Sequence, residues 1–346
     1  MSNQKLFNVA VVGATGAVGE QIIRLLEARN FPIKELKLLS SARSAGVKIA
    51  FKGQEVVVQE ATPDSFQGVD LALFSAGGDV TKALAPHAVE AGAICIDNTS
   101  AYRMDPDTPL VVPEVNVEKI NEHKGIIANP NCSTIQMVAA LKPLYDRYGI
   151  SRIIVSTYQA VSGAGAKAIN EMLRQSKEVL AGNEAKPDIL PVGSLPVKHQ
   201  IAFNAIPQID KFLDNGFTNE EMKMILETKK IMGDESIEVT ATCVRIPVVY
   251  GHSESVYVEL KEDFDMEDVR TLLANAPGIV LVDNPAEQQY PLATDAAGKL
   301  DTFVGRVRRD LSNAKALNMW IVSDNLLKGA AWNAVQIAEY IAIEQQ

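Results

Sequence analysis

The sequence predicts an α/β chain of two domains, and three observations carry that reading. A buried-strand run, FNVAVV from Phe7 to Val12, enters a glycine-rich turn and then a helical pattern through Ile22, Ile23, Leu25 and Leu26. Strands and helices go on alternating to about residue 131, which is the pattern of a parallel, doubly wound sheet. Beyond that point the strand patterns alternate with period two, as the half-buried strands of an antiparallel or mixed sheet do. At 346 residues the chain exceeds what one hydrophobic core commonly serves, and 47% apolar content suffices for a sizeable core.

The first turn reads Gly13-Ala14-Thr15-Gly16-Ala17-Val18-Gly19. Strand, glycine turn and helix together open a Rossmann-like dinucleotide-binding unit. Gly13 permits the tight turn, Gly16 lets backbone approach a pyrophosphate, and Gly19 lets the helix pack on the strand, with the phosphates on the helix N-terminus. The spacing is G-x-x-G-x-x-G, not the commoner G-x-G-x-x-G. The second strand, Leu36 to Ser41, should end on an acidic residue in an NAD-binding protein. Here it runs into Ser40-Ser41-Ala42-Arg43-Ser44, a cation among hydroxyls, which suits the 2′-phosphate of NADP. A solvated loop arginine is the alternative for Arg43 alone.

Further strands follow at Val69 to Gly78 and Gly92 to Asp97, with a helix over Thr81 to Ala91 between them. Cys95 lies inside an apolar strand and belongs to the core. Arg103, shortly after that strand, is a candidate anion ligand. Next comes Asn129-Pro130-Asn131-Cys132-Ser133-Thr134, between the strand GIIAN and a helix in which Ile135, Val138 and Leu141 recur three apart. Cap and turn residues place Cys132 on or just before the first helical turn. Backbone N–H groups and the helix dipole lower a thiol's pKa there, so the position suits a nucleophilic thiolate. A lone cysteine is more often a buried packing residue, so the reading rests on this context.

The second half holds strand patterns at Ile150 to Gly165, Glu235 to Val248 and Ser253 to Leu260. Thr218-Asn219-Glu220-Glu221 opens a helix that places Glu220 and Lys223 on one face, read by itself as a capped, solvated helix start. Cys243 sits in a strand pattern and is assigned to packing. A last apolar helix follows Asn325 and returns to cover the nucleotide domain. The expected domains are therefore 1–131, completed by 325–346, and 132–324.

Composition excludes several functions. Net charge is −10 with no Lys/Arg cluster, which argues against a nucleic-acid or basic membrane surface, and anionic substrates then require placed cations. No apolar run is long enough to span a bilayer, and the N-terminal residues suit a first strand better than a signal peptide. Three cysteines without a CxxC pair indicate neither a disulfide framework nor a zinc site. A reduced, cytoplasmic protein without a metal is expected.

Taken together, VAVVGATGAVG, SARSAG, FSAGG, IDNTSAYRMD, VVPEVN, ANPNCST, STYQAVSGAG, FNAIPQID, the EEMK helix, CVRIPVVYGHSESV, FVGRVRRD and SDNLLKGAAWNAVQ resemble bacterial aspartate-semialdehyde dehydrogenases along essentially the whole chain. The resemblance implies an N-terminal Rossmann-like domain plus an α+β catalytic and dimerisation domain, in a homodimer or homotetramer. It implies NADP-dependent interconversion of L-aspartate 4-semialdehyde plus inorganic phosphate with L-4-aspartyl phosphate, in lysine, threonine, methionine and diaminopimelate biosynthesis. Cys132 would attack the aldehyde and, after hydride loss to the nicotinamide, carry an acyl-thioester that phosphate cleaves. His252 resembles the family's acid–base histidine. Arg245 resembles the residue that forks onto the substrate α-carboxylate, and Arg103 and Lys223 resemble the phosphate-binding pair. Glu220 resembles the carboxylate that meets the substrate amino group or orients its neighbours, and Gln159 and Asn131 the residues that orient the acyl group. Gly13, Thr15, Gly16, Ala17, Val18, Ser40, Arg43, Ser44, Ser162, Gly163 and Asn325 fall at positions used around NADP. The nearest rival is an N-acetyl-glutamyl-phosphate reductase, against which a Glu220 placed for a free amino group argues.

Overall fold

The computed structural model describes residues 5–345. The chain divides into two compact units, one running to Asn131 and resuming at Gly329, the other covering Cys132–Lys328.

The first unit is built on a six-stranded sheet in the order β5-β2-β1-β6-β7-β8, every neighbouring pair parallel. Its strands are β1 (Phe7–Val12), β2 (Ile33–Ser40), β5 (Gln59–Glu60), β6 (Leu71–Phe74), β7 (Ile94–Asp97) and β8 (Ile126–Ala128). β1 is buried at five of six positions, as a central strand covered on both faces must be. The order turns back at β1, between β2 and β6, so its carboxyl end is the topological switch point where such sheets bind ligands. The chain leaves there through Gly13 into α1 (Ala17–Ala28), which buries Ile22, Ile23, Leu25 and Leu26. A Cβ on Gly19 would lie 2.1 Å from the Gly13 carbonyl oxygen, so any side chain there would drive helix from turn.

α2 (Gly78–Glu90) starts three residues earlier than its apolar pattern, because Gly77, at φ 99°, can occupy the N-cap. A hairpin of β3 (Lys48–Phe51) and β4 (Gln54–Val57) was not legible. Its turn residues Lys52 and Gly53 both take positive φ, and Lys is an uncommon residue for that conformation. A short α3 (Pro113–Asn116) precedes β8.

The second unit holds a mixed sheet ordered β10-β9-β11-β14-β13-β12. These are β9 (Ile150–Gln159), β10 (Glu238–Arg245), β11 (His252–Leu260), β12 (Ile279–Leu281), β13 (Thr302–Arg309) and β14 (Ala316–Ser323). β9 pairs parallel with β10 and antiparallel with β11, and β11 pairs antiparallel with β14. Along β9, Ile153, Val155, Thr157 and Gln159 are buried while Ile154, Ser156 and Tyr158 are more exposed, so one face is fully covered. α4 (Cys132–Tyr148) and α6 (Asn219–Met232) pack on this sheet, and α5 (Ala166–Leu180), α7 (Met266–Asn275) and α8 (Ala293–Ala296) complete the unit.

The segment between α5 and α6 is long and irregular, yet its backbone is tied to α5. Glu171, 4% exposed, accepts the N–H groups of Ile189 (3.0 Å) and Leu190 (3.3 Å), and Gln175 accepts those of Ile201 (2.8 Å) and Ala202 (3.2 Å). Buried side-chain oxygens thus replace the ladder partners that the segment lacks. Finally α9 (Trp332–Glu344) belongs to the first unit, where it packs on α1 and Asn333 donates to Asn129 Oδ1 at 2.6 Å.

Cys95 and Cys243 are both fully buried. Burial, with the Asp97 carboxylate nearby, pushes the Cys95 thiol up to about 12, and burial likewise raises Cys243. Both stay thiols.

Candidate active site

At the carboxyl end of β1 a cavity of about 580 Å³ is lined by Gly13, Thr15, Gly16, Ser40, Arg43 and Ser44 among others. Gly13 has φ 88°, and a Cβ on it would lie 2.9 Å from the Ser75 carbonyl carbon, so only glycine fits the turn. No side chain caps α1 at Gly16, which leaves the N–H groups of its first turn, Ala17 and Val18 included, for an anion. The Thr15 hydroxyl lies 3.0 Å from Ser40 Oγ and 3.4 Å from Ser44 Oγ. Arg43 is exposed on the single turn Ala42–Ser44. A feature the sequence reading missed is Glu60, which also lines the cavity because two-residue β5 sets it beside Ser40. So short a strand carries no pattern to read.

The second unit gathers the remaining groups by sheet register. Arg245 pairs with Gln159, Ser253 pairs with Tyr158 and so sets His252 beside Gln159, and His252 pairs with Ser323. Arg245, Gln159, His252 and Ser323 therefore stand side by side on the covered face of four adjacent strands. Neighbouring strands lie about 4.8 Å apart, so the row spans roughly 14 Å. Cys132 is the first residue of α4 and is half-buried. Asn131, 5% exposed, immediately precedes it.

The backbone of Ala160 holds two of these groups at once. Its N–H donates to His252 Nδ1 at 3.0 Å, and its carbonyl accepts from Arg245 Nη1 at 2.7 Å. His252 is fully buried, and its Nε2 has no hydrogen-bond partner among the described residues. Burial, then the Arg245 charge, pushes its pKa down to about 3, with Glu220 opposing. The imidazole is thus neutral at neutral pH. A Cβ on Gly163 would lie 3.0 Å from Arg245 Nη1 and 3.3 Å from His252 Nε2, so the glycine leaves open the space that both groups face. Burial lowers the Arg245 pKa while Glu220 and Cys132 raise it, and a guanidinium stays protonated under such opposing influences.

The helix start at Glu220 is not a solvated one. Thr218 and Glu221 form a reciprocal capping box, Glu221 also accepts the Cys243 N–H at 3.0 Å, and Glu220 is 6% exposed. Glu220 accepts from Gln159 Nε2 at 3.3 Å and from Lys223 Nζ at 3.1 Å. Lys223 also reaches Asp210, 3.4 Å away on a loop, a partner missed because nothing in a loop sequence predicts the contact. Ser162 and Asn325 bond each other at 3.0–3.1 Å, and Asn325 accepts the Gly251 N–H at 3.1 Å, which fixes the turn leading into His252. Ser162, Gly163 and Asn325 thus cluster beside His252 in the second unit. Arg103, in the first unit, is 7% exposed and donates to the carbonyls of Asn129 and Asn98, both at 2.9 Å.

Also absent from the sequence reading were Gln136 and Glu254. Gln136, one turn beyond Cys132, accepts from Ser323 Oγ at 2.6 Å and donates to the His252 carbonyl at 3.4 Å. The i, i+4 spacing from the cysteine was the available signal. Glu254, two residues along β11 from His252, is fully buried. Gln136 favours its charged form, but neither carboxyl oxygen has a partner in hydrogen-bond geometry, and burial raises its pKa well above 4.5. The unfolded chain gives up this proton as pH rises through 4.5 while the folded chain keeps it, so stability falls with rising pH. Glu254→Gln should then raise the thermal midpoint at pH 8 by about 2–4 °C, roughly 1 kcal/mol for a domain of this size. Thermal melts should show that gain vanish below pH 4.5.

Among the described residues there is no cluster arranged to hold a metal ion, and no helix is long and apolar enough to cross a membrane.

A glycine cradle on a parallel sheet, with a helix-start cysteine and a buried His–Arg pair on a mixed one, defines the class: the chain matches the semialdehyde dehydrogenase NAD binding domain over residues 8–123 and the semialdehyde dehydrogenase dimerisation domain over residues 141–328. It is 62% identical to the aspartate-semialdehyde dehydrogenase of Bacillus subtilis, with 96% of each chain covered, and 54% identical to that of Aquifex aeolicus, with 98% of each covered. The crystal structure of aspartate semialdehyde dehydrogenase II from Vibrio cholerae, complexed with ASA, superposes with a TM-score of 0.92 at 51% identity, covering 98% of this chain and 99% of that one. The Candida albicans enzyme with NADP gives 0.75 at 28% identity, covering 97% and 98%. The chain belongs to the aspartate-semialdehyde dehydrogenase family.

Proposed function

We propose that this chain converts L-aspartate 4-semialdehyde and phosphate to L-4-aspartyl phosphate with NADP, and runs the reverse reaction in biosynthesis of lysine, threonine, methionine and diaminopimelate. The observation that carries the reading is the convergence of Arg245 and His252 on the space left by Gly163, on a sheet face that also holds Gln159 and the helix begun by Cys132. The names of the relatives favour this over the acetylated-substrate reductase.

The cofactor cavity suits NADP by its donor set. Glycines that admit no Cβ, an uncapped helix start and the Arg43 guanidinium are what a pyrophosphate and a 2′-phosphate require. Gly13 to Val18, Ser40, Arg43 and Ser44 would hold it, and Ser162, Gly163 and Asn325 are proposed for its nicotinamide end. NADP supplies the hydride acceptor. Cys132 is the nucleophile, and its thioester conserves the oxidation energy until phosphate attacks. Arg245 grips the α-carboxylate, Glu220 meets the amino group, and Gln159 and Asn131 orient the acyl group. Lys223 and Arg103 are proposed as phosphate ligands. Residues 1–131 with the terminal helix would form the NADP-binding domain, and 132–324 the catalytic and dimerisation domain. The partly exposed face of β9 and β11 is the surface for a second copy in a dimer or tetramer, and the cytoplasm is the proposed location.

The deciding assay is NADPH formation from aspartate semialdehyde, NADP and phosphate, monitored by absorbance. Absence of turnover, or turnover without phosphate, would refute the assignment. Arg43→Glu should weaken NADP by about 100-fold or more and NAD by less than about threefold, since it removes a 2′-phosphate partner and adds a repelling charge beside Glu60. Fluorescence titration with both cofactors measures this, and equal weakening would show that the loop does not read the phosphate.

A further inference from the structure

We propose that Glu60 reads the base of the cofactor: its carboxylate accepts a hydrogen bond from the 6-amino group of adenine, so the cavity takes an adenine dinucleotide and rejects one whose purine carries a 6-oxo group. The inference deepens the reading of this cavity as the NADP site and rests on it.

Sheet register fixes where Glu60 stands. β5 pairs parallel with β2, and Glu60 lies opposite Ser40. Side chains of residues paired in this way leave the same face of a sheet. The Ser40 hydroxyl lies 3.0 Å from Thr15 Oγ1, on the side of the glycine turn. The Glu60 side chain therefore leaves the sheet on that side too, about 4.8 Å further from β1. Its backbone is pinned: the Ala61 N–H donates to the Ser40 carbonyl at 2.8 Å, and Ser65 Oγ donates to the Glu60 carbonyl at 3.3 Å. The order β5-β2-β1 thus sets three stations in line along one cavity, the glycine turn, then Ser40 with the Arg43 loop, then Glu60.

A dinucleotide entering at the turn fills these stations in the order of its own bonds. Pyrophosphate lies at the start of α1, the ribose with its 2′-phosphate comes next at Arg43, and the base comes last. Apolar walls suited to a flat ring stand at that last station. Ala61 follows Glu60 directly, and Val80 and Leu84 come from α2, which packs on the turn Pro63–Phe66 just beyond β5.

The charge of Glu60 then selects its partner. A carboxylate can only accept hydrogen bonds, and this one is exposed and has no protein partner among the described residues. An acid this close to a 2′-phosphate weakens NADP binding unless it gains a donor in return. The adenosine half of NADP offers donors only at the 6-amino group and the 3′-hydroxyl. The hydroxyl belongs to the ribose, one station inward, which leaves the 6-amino group for Glu60. A 6-oxo purine would set an acceptor against the carboxylate, and a site built around a hydrogen bond discriminates strongly against the ligand that cannot make it.

The test measures binding to the full-length protein by isothermal titration calorimetry, with no semialdehyde or phosphate present. The two probes are NADP and its deamino analogue, nicotinamide hypoxanthine dinucleotide phosphate. The parent should bind the analogue about tenfold or more weakly than NADP, as loss of a charge-assisted hydrogen bond implies. In Glu60→Gln the two Kd values should fall within about threefold of each other, because an amide can accept from the amino group or donate to the 6-oxo group. Glu60→Ala should likewise close the gap. Removing the carboxylate also eases repulsion of the 2′-phosphate, but both probes carry that phosphate, so the ratio of their Kd values is unaffected by it. A purely structural role for Glu60 would leave the ratio where the parent has it. Equal binding of both probes by the parent, or a tenfold gap that survives in Glu60→Gln, would overturn the proposal while leaving the NADP site in place. Failure of the parent to bind NADP at all would remove the cofactor reading and this inference together.

Discussion

Cys132→Ala is expected to lower kcat by at least about 10⁴-fold while the NADP Kd stays within about twofold of the parent. The sulfur is the atom that bonds to the substrate carbon, so its loss removes the intermediate itself and not merely an interaction with it. Neither remaining cysteine can take over, since Cys95 and Cys243 are buried in strands with their thiols held protonated. Turnover is read from NADPH absorbance and cofactor affinity from fluorescence titration. Residual activity above about 1% of the parent, with NADP still bound, would mean that the thioester is not on the reaction path.

Arg245→Lys is expected to cost roughly 10²–10³-fold in kcat/KM, shared between a higher semialdehyde KM and a lower kcat. Charge is conserved in this change, so the loss measures geometry. A guanidinium can leave Nη1 on the Ala160 carbonyl and still offer N–H groups to a carboxylate, while an ammonium has to choose. Steady-state kinetics separate the two contributions. A higher KM with kcat intact would show that Arg245 binds substrate without aligning it for attack by Cys132.

What could be read from sequence was what lies close together in it. The strand–turn–helix at Gly13 to Leu26 announces itself because hydrophobic runs and glycines follow one another within 20 residues, and the helix that opens at Cys132 is marked by its flanking Pro130 and Ser133. The long β9 and β11 showed through their alternation. β13 and β14 did not, because the arginines of TFVGRVRR and the Asn-Met-Trp of ALNMWIVS blur it. Those two become strands through their pairing with each other and with β11. The site divides in the same way. Gln136 and Ser323 meet across 187 residues and Lys223 and Asp210 across 13, and no periodicity encodes either encounter. Glu220 looked like a solvent-facing residue because its capping motif is common on surfaces, and only the packing of α6 on β10 buries it.

That one residue, Ala160, anchors both Arg245 and His252 bears on how the enzyme could acquire a new substrate. A longer or uncharged substrate would ask the arginine to move, and the arginine is held through the same short length of backbone that fixes the imidazole. Recognition and rate are mechanically geared to each other here, so laboratory evolution for altered substrates that begins at Arg245 would erode catalysis before it changed preference. A gentler starting point is the Lys223–Asp210 ion pair, which is partly exposed to solvent.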